Sequence, residues 1–281
     1  MNNLILGNNA QFAKYPFREF VDSQISNSIT SVDLTLMTPH IYVDSYEFID
    51  AMGIRESLEK AEISVNTVTP PPYRYSICAD EDTIQNEKTI GYYKQCILFA
   101  EAAGAENVII TAAGANYDYD SERLLSNAEK SLKKLTSFAE EHKVTLLLGT
   151  VLGEESPFNA STPVLVTLQE VVDMLKRVDS PGLKAYMDVE VISLIGETIP
   201  KWFEALGDDI RLVRFTDGNY NGYRIWGKGC FPCEKYLSQL KEAGYEGPLS
   251  LQRPGDRYSN QPGEAETEMV EYLRASMEKV K

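Results

Sequence analysis

The chain has 281 residues, of which 43% are hydrophobic and 25% charged, a balance typical of one globular domain with a sizeable core. Its 42 acidic and 27 basic residues give a net charge of -15, which disfavours binding to nucleic acids and to anionic membranes. The sequence contains no apolar run near the roughly 20 residues that a membrane helix needs, and its start lacks the features of a secretory signal. We therefore expect a cytoplasmic protein.

The four cysteines do not form the pattern of a disulfide framework. Cys230 and Cys233 make a single CxxC pair. A redox or zinc role for this pair would need a second pair or a thioredoxin-like context, which Cys78 and Cys96 do not supply. The alternative is that the pair simply flanks the start of a helix.

Eight short apolar segments recur along the chain, and an amphipathic stretch follows each of them. The apolar segments are residues 4–7, 31–36, 63–68, 107–111, 144–148, 183–188, 210–215 and 248–251. The amphipathic stretches are residues 17–25, 46–61, 85–103, 121–141, 168–178, 199–206, 234–243 and 264–280. Apolar strands that alternate with helices indicate a parallel sheet covered by helices. Eight such units predict an α/β fold, a (β/α)8 TIM barrel, as a single domain over residues 1–281. A doubly wound open sheet is the alternative, but it would have fewer units and a glycine-rich first turn.

The longest irregular stretches follow the third, fifth and seventh strands of this barrel. They are residues 69–82, 149–163 and 216–232. In a TIM barrel these loops meet at the C-terminal mouth, where active sites form. Their aromatic and polar side chains suit stacking against a sugar and hydrogen bonding to it, although long loops are often polar for no functional reason. The substrate-binding candidates at this mouth are His40, Tyr73, Arg214, Tyr220, Arg224, Trp226, Gln252 and Arg253.

Several phrases along the chain resemble a known family. They are TPH at 38–40, EAAGAENVIITAAG at 101–114, MDVE at 187–190, RFTDG at 214–218, WGKG at 226–229 and GYEGPLSLQR at 244–253. In this order and spacing they resemble the sugar isomerases and epimerases of the xylose-isomerase-like TIM-barrel superfamily, closest to the fructoselysine 3-epimerase type. The resemblance covers essentially the whole chain.

The resemblance implies a divalent metal, often manganese, at the barrel mouth. Its ligands in the family are a Glu, an Asp, a His and a Glu that end strands five to eight, and the two glutamates exchange protons with the substrate. In this sequence the four positions correspond to Gly149, Asp188, Arg214 and Gln252. Only Asp188 retains the family's ligand, and neither glycine nor glutamine transfers protons near neutral pH. We therefore expect no metal and no other cofactor.

Arg214 strengthens this expectation, because a permanent positive charge repels a divalent cation. Arg214 and Asp188 either grip a carboxylate, phosphate or hydroxyl of a ligand or form an internal ion pair that fills the vacated cavity. A displaced Mn or Mg site remains an alternative. Its candidate ligands are Asp188, Glu190, Glu154, Glu155 and Asp217. Asp188 and Glu190 lie two residues apart, so in an extended chain they would point to the same side.

The candidates for a surviving acid or base are His40, Glu155, Asp188 and Glu190. His40 follows Pro39 at the end of the second strand and matches the Pro-His of the family. It is either adjacent to the substrate or a packed, hydrogen-bonded imidazole.

Three functions follow from this set of residues. The first is a sugar isomerase or epimerase that acts on a carbohydrate or sugar conjugate with the metal site largely lost. The second is a noncatalytic sugar-binding or regulatory relative, or an inactive subunit paired with an active paralogue. The third, a hydrolase or nuclease, fits poorly because nuclease relatives carry more metal ligands and the chain is strongly acidic. The expected partner is a small-molecule sugar. Assembly as a homo-oligomer is compatible with the sequence.

Overall fold

The computed structural model of the protein describes residues 1–71, 75–112, 119–151, 164–252 and 258–280. Its strands, in chain order, are β1 (Ile5–Asn8), β2 (Ser31–Thr35), β3 (Tyr42–Val43), β4 (Phe48–Ile49), β5 (Ser64–Thr69), β6 (Asn107–Ile110), β7 (Thr145–Leu148), β8 (Leu183–Asp188), β9 (Ile210–Arg214), β10 (Asp217–Asn219), β11 (Gly222–Arg224) and β12 (Leu249–Ser250). Its α-helices are α1 (Phe17–Ser26), α2 (Ala51–Glu59), α3 (Ile84–Ala103), α4 (Ser121–Glu141), α5 (Leu168–Val178), α6 (Val189–Leu194), α7 (Ile199–Leu206), α8 (Cys233–Glu242) and α9 (Pro262–Lys279). Single turns of 3-10 helix cover Asn9–Phe12 and Gly207–Asp209.

Eight of these strands close into one parallel barrel. Their order around the barrel is β1, β2, β5, β6, β7, β8, β9 and β12, and β12 pairs back with β1. A helix follows each barrel strand and covers the outside of the sheet, as in a (β/α)8 barrel. The predicted fold class is therefore confirmed, and each of the eight predicted apolar segments overlaps a barrel strand.

The barrel interior follows from the two-residue period of its strands. Leu6, Ile109, Leu147, Tyr186 and Leu212 point inward and pack together as a buried cluster. Because successive side chains alternate between the two faces of a strand, the residue two positions further on also faces the axis, one layer closer to the C-terminal mouth. Gly149, Asp188 and Arg214 occupy these next positions. The apolar layer thus supports the mouth from below.

Helix ends follow from local chemistry. The Thr167 hydroxyl accepts a hydrogen bond from the backbone N–H of Glu170, whose side chain in turn accepts from the backbone of Thr167, so α5 begins with a capping box. The Asp120 side chain caps α4 by accepting from the N–H of Arg123. Gly104 ends α3 in the left-handed conformation, with φ 78°, which glycine adopts at little cost. The caps of α4 and α5 fix where two loops of the mouth end, whereas Gly104 turns the chain toward β6 at the opposite end of the barrel.

Two small hairpins and one helix have no counterpart among the predicted elements. Strands β3 and β4 form an antiparallel pair before α2, and β10 and β11 form another after β9. Helix α6 begins directly after Asp188, so Glu190 lies in its first turn. The expectation that Asp188 and Glu190 point to the same side of an extended chain was therefore wrong, because the chain turns into a helix between them.

The CxxC pair flanks a helix start. Cys233 is the first residue of α8 and is buried, whereas Cys230 is exposed. Both thiols are free. Within the described ranges, no helix combines the length and the apolar character needed to cross a bilayer.

Candidate functional site

Four side-chain positions at the ends of neighbouring strands form the floor of the mouth. They are residue 149 after β7, residue 188 at the end of β8, residue 214 at the end of β9 and residue 252 after β12. These are the positions at which the resemblance implies metal ligands. In this chain a glycine, an aspartate, an arginine and a glutamine occupy them.

Gly149 has no room for a side chain. A Cβ at this residue would lie 2.7 Å from two ring atoms of Tyr186 and 2.8 Å from the Tyr186 carbonyl oxygen. Because close-packed interiors relax only partly, a larger residue would have to displace both a ring and backbone. The aromatic ring of the neighbouring strand thus lies where a glutamate ligand would begin.

Asp188 is buried and bound on both carboxylate oxygens. One oxygen accepts from the backbone N–H of Glu190 at 3.0 Å, and the other accepts from the phenol of Tyr223 at 2.5 Å. Burial raises the pKa of Asp188, and the charge of Arg214 and the Tyr223 hydrogen bond oppose this rise. The Arg214 Nη1 lies 3.9 Å from the carboxylate, so the two charges attract without a direct hydrogen bond.

Arg214 is a buried cation with few partners. Its Nη2 donates to the Thr69 hydroxyl at 3.2 Å, and its guanidinium carbon lies 4.9 Å from the ring centre of Tyr186. Its Nε is buried and has no hydrogen-bond acceptor among the described residues. Burial lowers the pKa of Arg214, but the charge interactions with Tyr186, Tyr223, Asp33 and Asp188 outweigh this and raise it. The guanidinium is therefore permanently charged, and 11% of its side-chain surface stays exposed.

Asp33, on β2, is a buried carboxylate that the sequence analysis did not select. It is fully buried and accepts hydrogen bonds from the hydroxyls of Thr69 at 2.6 Å and Ser250 at 2.8 Å. The amide of Gln252 lies 3.4 Å from the same carboxylate and donates to the Ser250 hydroxyl at 2.9 Å. A glutamate at residue 252 would bring a second negative charge next to Asp33, and such a pair is costly in a buried site. In the sequence, Asp33 is the one charged residue of the predicted strand segment 31–36. That position is the signal by which it could have been selected.

Glu190 is a further buried acid at the mouth, and its backbone N–H donates to Asp188. Its side chain is 4% exposed, and its Oε1 has no donor among the described residues. Burial and the charge of Asp188 raise its pKa to about 9, against a weaker opposing effect of Arg224. The carboxyl packs against Gly218, where an added Cβ would lie 2.7 Å from Oε1. At neutral pH this carboxyl group holds a proton.

His40 lies beside the barrel mouth in a packed environment. Its Nε2 is 2.8 Å from the carbonyl oxygen of Tyr15, and its Nδ1 is 3.3 Å from the side-chain nitrogen of Asn9. These partners fit a neutral ring that donates from Nε2 and accepts at Nδ1. Burial lowers the pKa of His40, although backbone hydrogen bonds oppose this. Both ring nitrogens are thus engaged, as in the second of the two alternatives for this residue.

The remaining binding candidates fall into different environments. Tyr220 is 69% exposed at the tip between β10 and β11. Arg224 is buried, and its Nη1 donates to the backbone carbonyls of residues 221, 222 and 223. Trp226 is 1% exposed, packs against Phe215 and donates from its indole to the Phe215 carbonyl. Trp226 is therefore placed to hold the loop rather than to stack on a ligand.

Three predicted site residues, Tyr73, Glu155 and Arg253, lie outside the described residues. The same holds for Glu154, one of the candidate ligands for a displaced cation. For these residues the predicted roles stay predictions.

The described residues of the mouth do not fit a divalent metal. Asp188 already accepts from a backbone N–H and a phenol, and its neighbour at residue 214 is a cation. The oxygens of Asp217 accept from the backbone N–H groups of residues 218, 227, 229 and 231, so this carboxylate holds the β11–α8 loop. No group of three or more His, Cys, Asp or Glu residues in the described ranges could hold a metal. The chemistry of the donor set, rather than any single distance, argues against the family's metal here.

The opposite end of the barrel holds an open cavity of about 980 Å³. It is lined by the starts of the strands, among them Asn66, Asn107, Thr145, Lys184 and Ile210. In TIM barrels this end carries stability, whereas catalytic groups collect at the C-terminal mouth. We therefore place the candidate site at the mouth, where the buried charges are, and not in this cavity.

The sequence and the fold are both similar to those of known proteins. The sequence profile of the "Xylose isomerase-like TIM barrel" family matches residues 29–276. The chain is 22% identical to the fructoselysine 3-epimerase of Shigella flexneri over 241 residues, which cover 84% of each protein. Its fold is similar to that of a 3-keto-D-glucoside 4-epimerase from E. coli, with a TM-score of 0.78 and 12% identity over 98% of this chain and 100% of the other. A D-psicose 3-epimerase from Clostridium cellulolyticum H10 has a TM-score of 0.76 and 12% identity, over 97% of this chain and 98% of its own. The chain thus belongs to the xylose isomerase-like TIM barrel family.

Proposed function

We propose that this protein is an isomerase or epimerase that acts on a carbohydrate or sugar conjugate at the C-terminal mouth of its barrel, without the divalent metal of its family. The observation that carries this proposal is Arg214, a permanent cation among the strand ends where the family's ligands would converge. Its relatives of similar fold are named as sugar epimerases, which supports a small-molecule sugar as the partner.

The described mouth contains groups that could handle a proton. Asp188 is a carboxylate bound to the Tyr223 phenol, and Glu190, two residues further along the chain, is a carboxyl group with one oxygen that has no donor among the described residues. Isomerisation and epimerisation next to a carbonyl require one group that removes a proton and one that returns it. We assign these two roles to Asp188 and Glu190. His40 and Glu155 stay predictions as further acid or base groups.

A noncatalytic carbohydrate-binding protein is the second candidate. It is favoured by Gly149 and Gln252, since the first has no side chain and the amide of the second is engaged with Asp33 and Ser250. Neither residue can exchange a proton with a substrate. Assembly with itself or with an active paralogue, and a cytoplasmic location, remain predictions.

Two measurements test the proposal together. Elemental analysis after incubation with manganese and removal of the excess should find far less than one ion per chain. Proton NMR in D2O should then show exchange of sugar C–H groups for deuterium when the protein is added to a panel of ketoses without metal. One tightly held ion per chain would refute the metal-free site. Sugar binding without deuterium exchange would favour the noncatalytic candidate.

A further inference from the structure

The guanidinium of Arg214 has far more donors than partners. An arginine side chain offers five N–H groups. Among the described residues one hydrogen bond is made, from Nη2 to Thr69, and the carboxylate oxygen of Asp188 is 3.9 Å away, beyond hydrogen-bond distance. The buried Nε–H has no acceptor in the described part of the chain. Buried donors, and charged donors above all, normally have partners, so these free N–H groups require an explanation.

A second buried arginine shows what a structural role looks like in the same region. The Nη1 of Arg224 donates to three backbone carbonyl oxygens at 2.7, 3.1 and 3.3 Å and so fastens the β10–β11 turn. Arg214 makes no such set of bonds with the backbone around it. We expect an arginine that only fills a vacated cavity to bond its donors to nearby acceptors, as Arg224 does, because unpaired buried donors are costly.

The surroundings of Arg214 keep its charge in place while leaving donors free. Asp33 and Asp188 flank it at a distance and supply negative charge, but both carboxylates are already bound to other groups. The ring of Tyr186 lies 4.9 Å from the guanidinium carbon and also blocks residue 149. The guanidinium is therefore held between Thr69, Tyr186 and the two carboxylates, and several of its donors have no acceptor among the described residues.

Given the proposed carbohydrate function, on which this inference rests, we propose that Arg214 is the fixed cation of the site and that its free N–H groups bind an sp² oxygen, a carbonyl or a carboxylate, of the sugar. A guanidinium in a water-poor site stabilises negative charge on such an oxygen without reorganisation. The protein would thus use a side chain where its family is expected to use a metal ion. An alditol, which has hydroxyl groups only, lacks the acceptor that this cation prefers.

The test compares three matched classes of sugar on the unchanged protein. Ketoses, the alditols of the same carbon skeletons and the corresponding aldonates are titrated by calorimetry in metal-free buffer. We expect ketoses or aldonates to bind at least tenfold more tightly than alditols. The ketose and aldonate arms separate the two sources of the sp² oxygen.

The variants Arg214→Gln and Arg214→Lys then assign the preference to this side chain. Arg214→Gln should weaken the preferred class at least tenfold and leave alditol binding unchanged, and Arg214→Lys, which keeps the charge but loses the planar donors, should lie between. Arg18→Gln, which removes an exposed arginine on α1, is the charge-matched control and should bind as the parent does. If Arg214→Gln does not fold, the preference of the parent protein and the Arg214→Lys result decide the question.

The outcomes for this inference and for the proposed function are distinct. Equal binding of alditols, ketoses and aldonates, or an unchanged preference in the Arg214 variants, would overturn the role of Arg214 while carbohydrate binding stands. Failure of all three classes to bind would overturn both.

Discussion

Two buried glutamates sit in different regions of the molecule, and their surroundings are opposite in kind. Glu266, on α9, faces α1 and accepts hydrogen bonds from Ser23 at 2.5 Å and Gln24 at 2.8 Å. Burial raises its pKa to about 7, and the two donors oppose this rise. Glu190, at the mouth, has an oxygen with no donor and a pKa raised further, to about 9.

The difference teaches how to separate a structural acid from a functional one. At the contact between α1 and α9, the donors on α1 bond the carboxyl group of Glu266. No further ligand is needed to explain why this acid is buried. The mouth leaves both Glu190 and Arg214 short of partners, although an unmade hydrogen bond in a buried site is costly. Proteins tolerate such costs where function requires them. The shortage of partners, rather than burial itself, marks the site.

The largest expected effect on stability comes from removing the cation of the mouth, Arg214. Arg214→Met would leave the charges of Asp33 and Asp188 buried without their nearest positive charge. We expect a loss of about 3–5 kcal/mol in the free energy of unfolding at pH 7, measured with urea. Arg214→Lys is the matched control and should lose clearly less. A loss below about 1 kcal/mol for Arg214→Met would show that the two carboxylates do not depend on it.

The other region is tested by Glu266→Ala, measured at pH 4, where both native and unfolded states hold the acid largely protonated. The change leaves the donors of Ser23 and Gln24 without an acceptor and opens a cavity between α1 and α9. We expect a loss of about 2–4 kcal/mol in the free energy of unfolding. Glu271→Ala, at an exposed position of the same helix, should change stability by less than about 0.5 kcal/mol. Equal effects for the two variants would remove the structural role of Glu266.

The pH dependence of stability distinguishes Glu266 from Glu190, because each lowers the free energy of unfolding over a different pH range. For an acid whose pKa is raised on folding, the native state binds the proton more tightly. Its contribution is therefore fully present below the unfolded pKa and is lost as the pH rises through the folded pKa. Each such group lowers the free energy of unfolding by at most about 1.4 kcal/mol per pH unit within its window.

Glu266 acts in this way from pH 4.5 to about 7, and Glu190 from pH 4.5 to about 9. The parent protein should therefore lose stability more steeply below pH 7 than between pH 7 and 9. Glu266→Gln should reduce the slope below pH 7 only, whereas Glu190→Gln should flatten the curve between pH 7 and 9. Urea unfolding at half-unit pH steps measures both slopes. A curve that stays steep above pH 7 in Glu190→Gln would contradict this assignment.

Sequence patterns predicted the frame of the molecule because strand and helix periods are local properties. All eight barrel strands and the bounds of α4, α5 and α7 agree with the predicted segments. The short hairpins and α6 were missed, since two- or three-residue strands and a six-residue helix carry almost no periodic signal. The sequence also predicted that residues 149, 214 and 252 replace metal ligands of the family with other residue types.

The sequence does not show the physical reason for these replacements of metal ligands. That reason depends on Tyr186, which meets residue 149 from the adjacent strand β8, and on Asp33, which meets residue 252 from β2, with β1 between the two strands. Contacts of this kind are set by the closure of the sheet and have no counterpart in the spacing of residues along the chain. Trp226 shows the same limit, because a tryptophan in a polar loop suggests a ligand contact although the fold buries it against Phe215.

The smallest expected change in stability gives the sharpest test of the mouth. At pH 4, Glu190→Gln should alter the free energy of unfolding by less than about 0.5 kcal/mol, because the side chain is already neutral and accepts no hydrogen bond at Oε1. At pH 8 the same variant should be more stable than the parent, since glutamine has no proton to lose on unfolding. Yet it should lose deuterium exchange into ketoses, because an amide cannot return a proton. A variant that gains stability and keeps exchange would show that Glu190 is buried without taking part in proton transfer, and would move that role to Asp188 or to a residue of the loops above it.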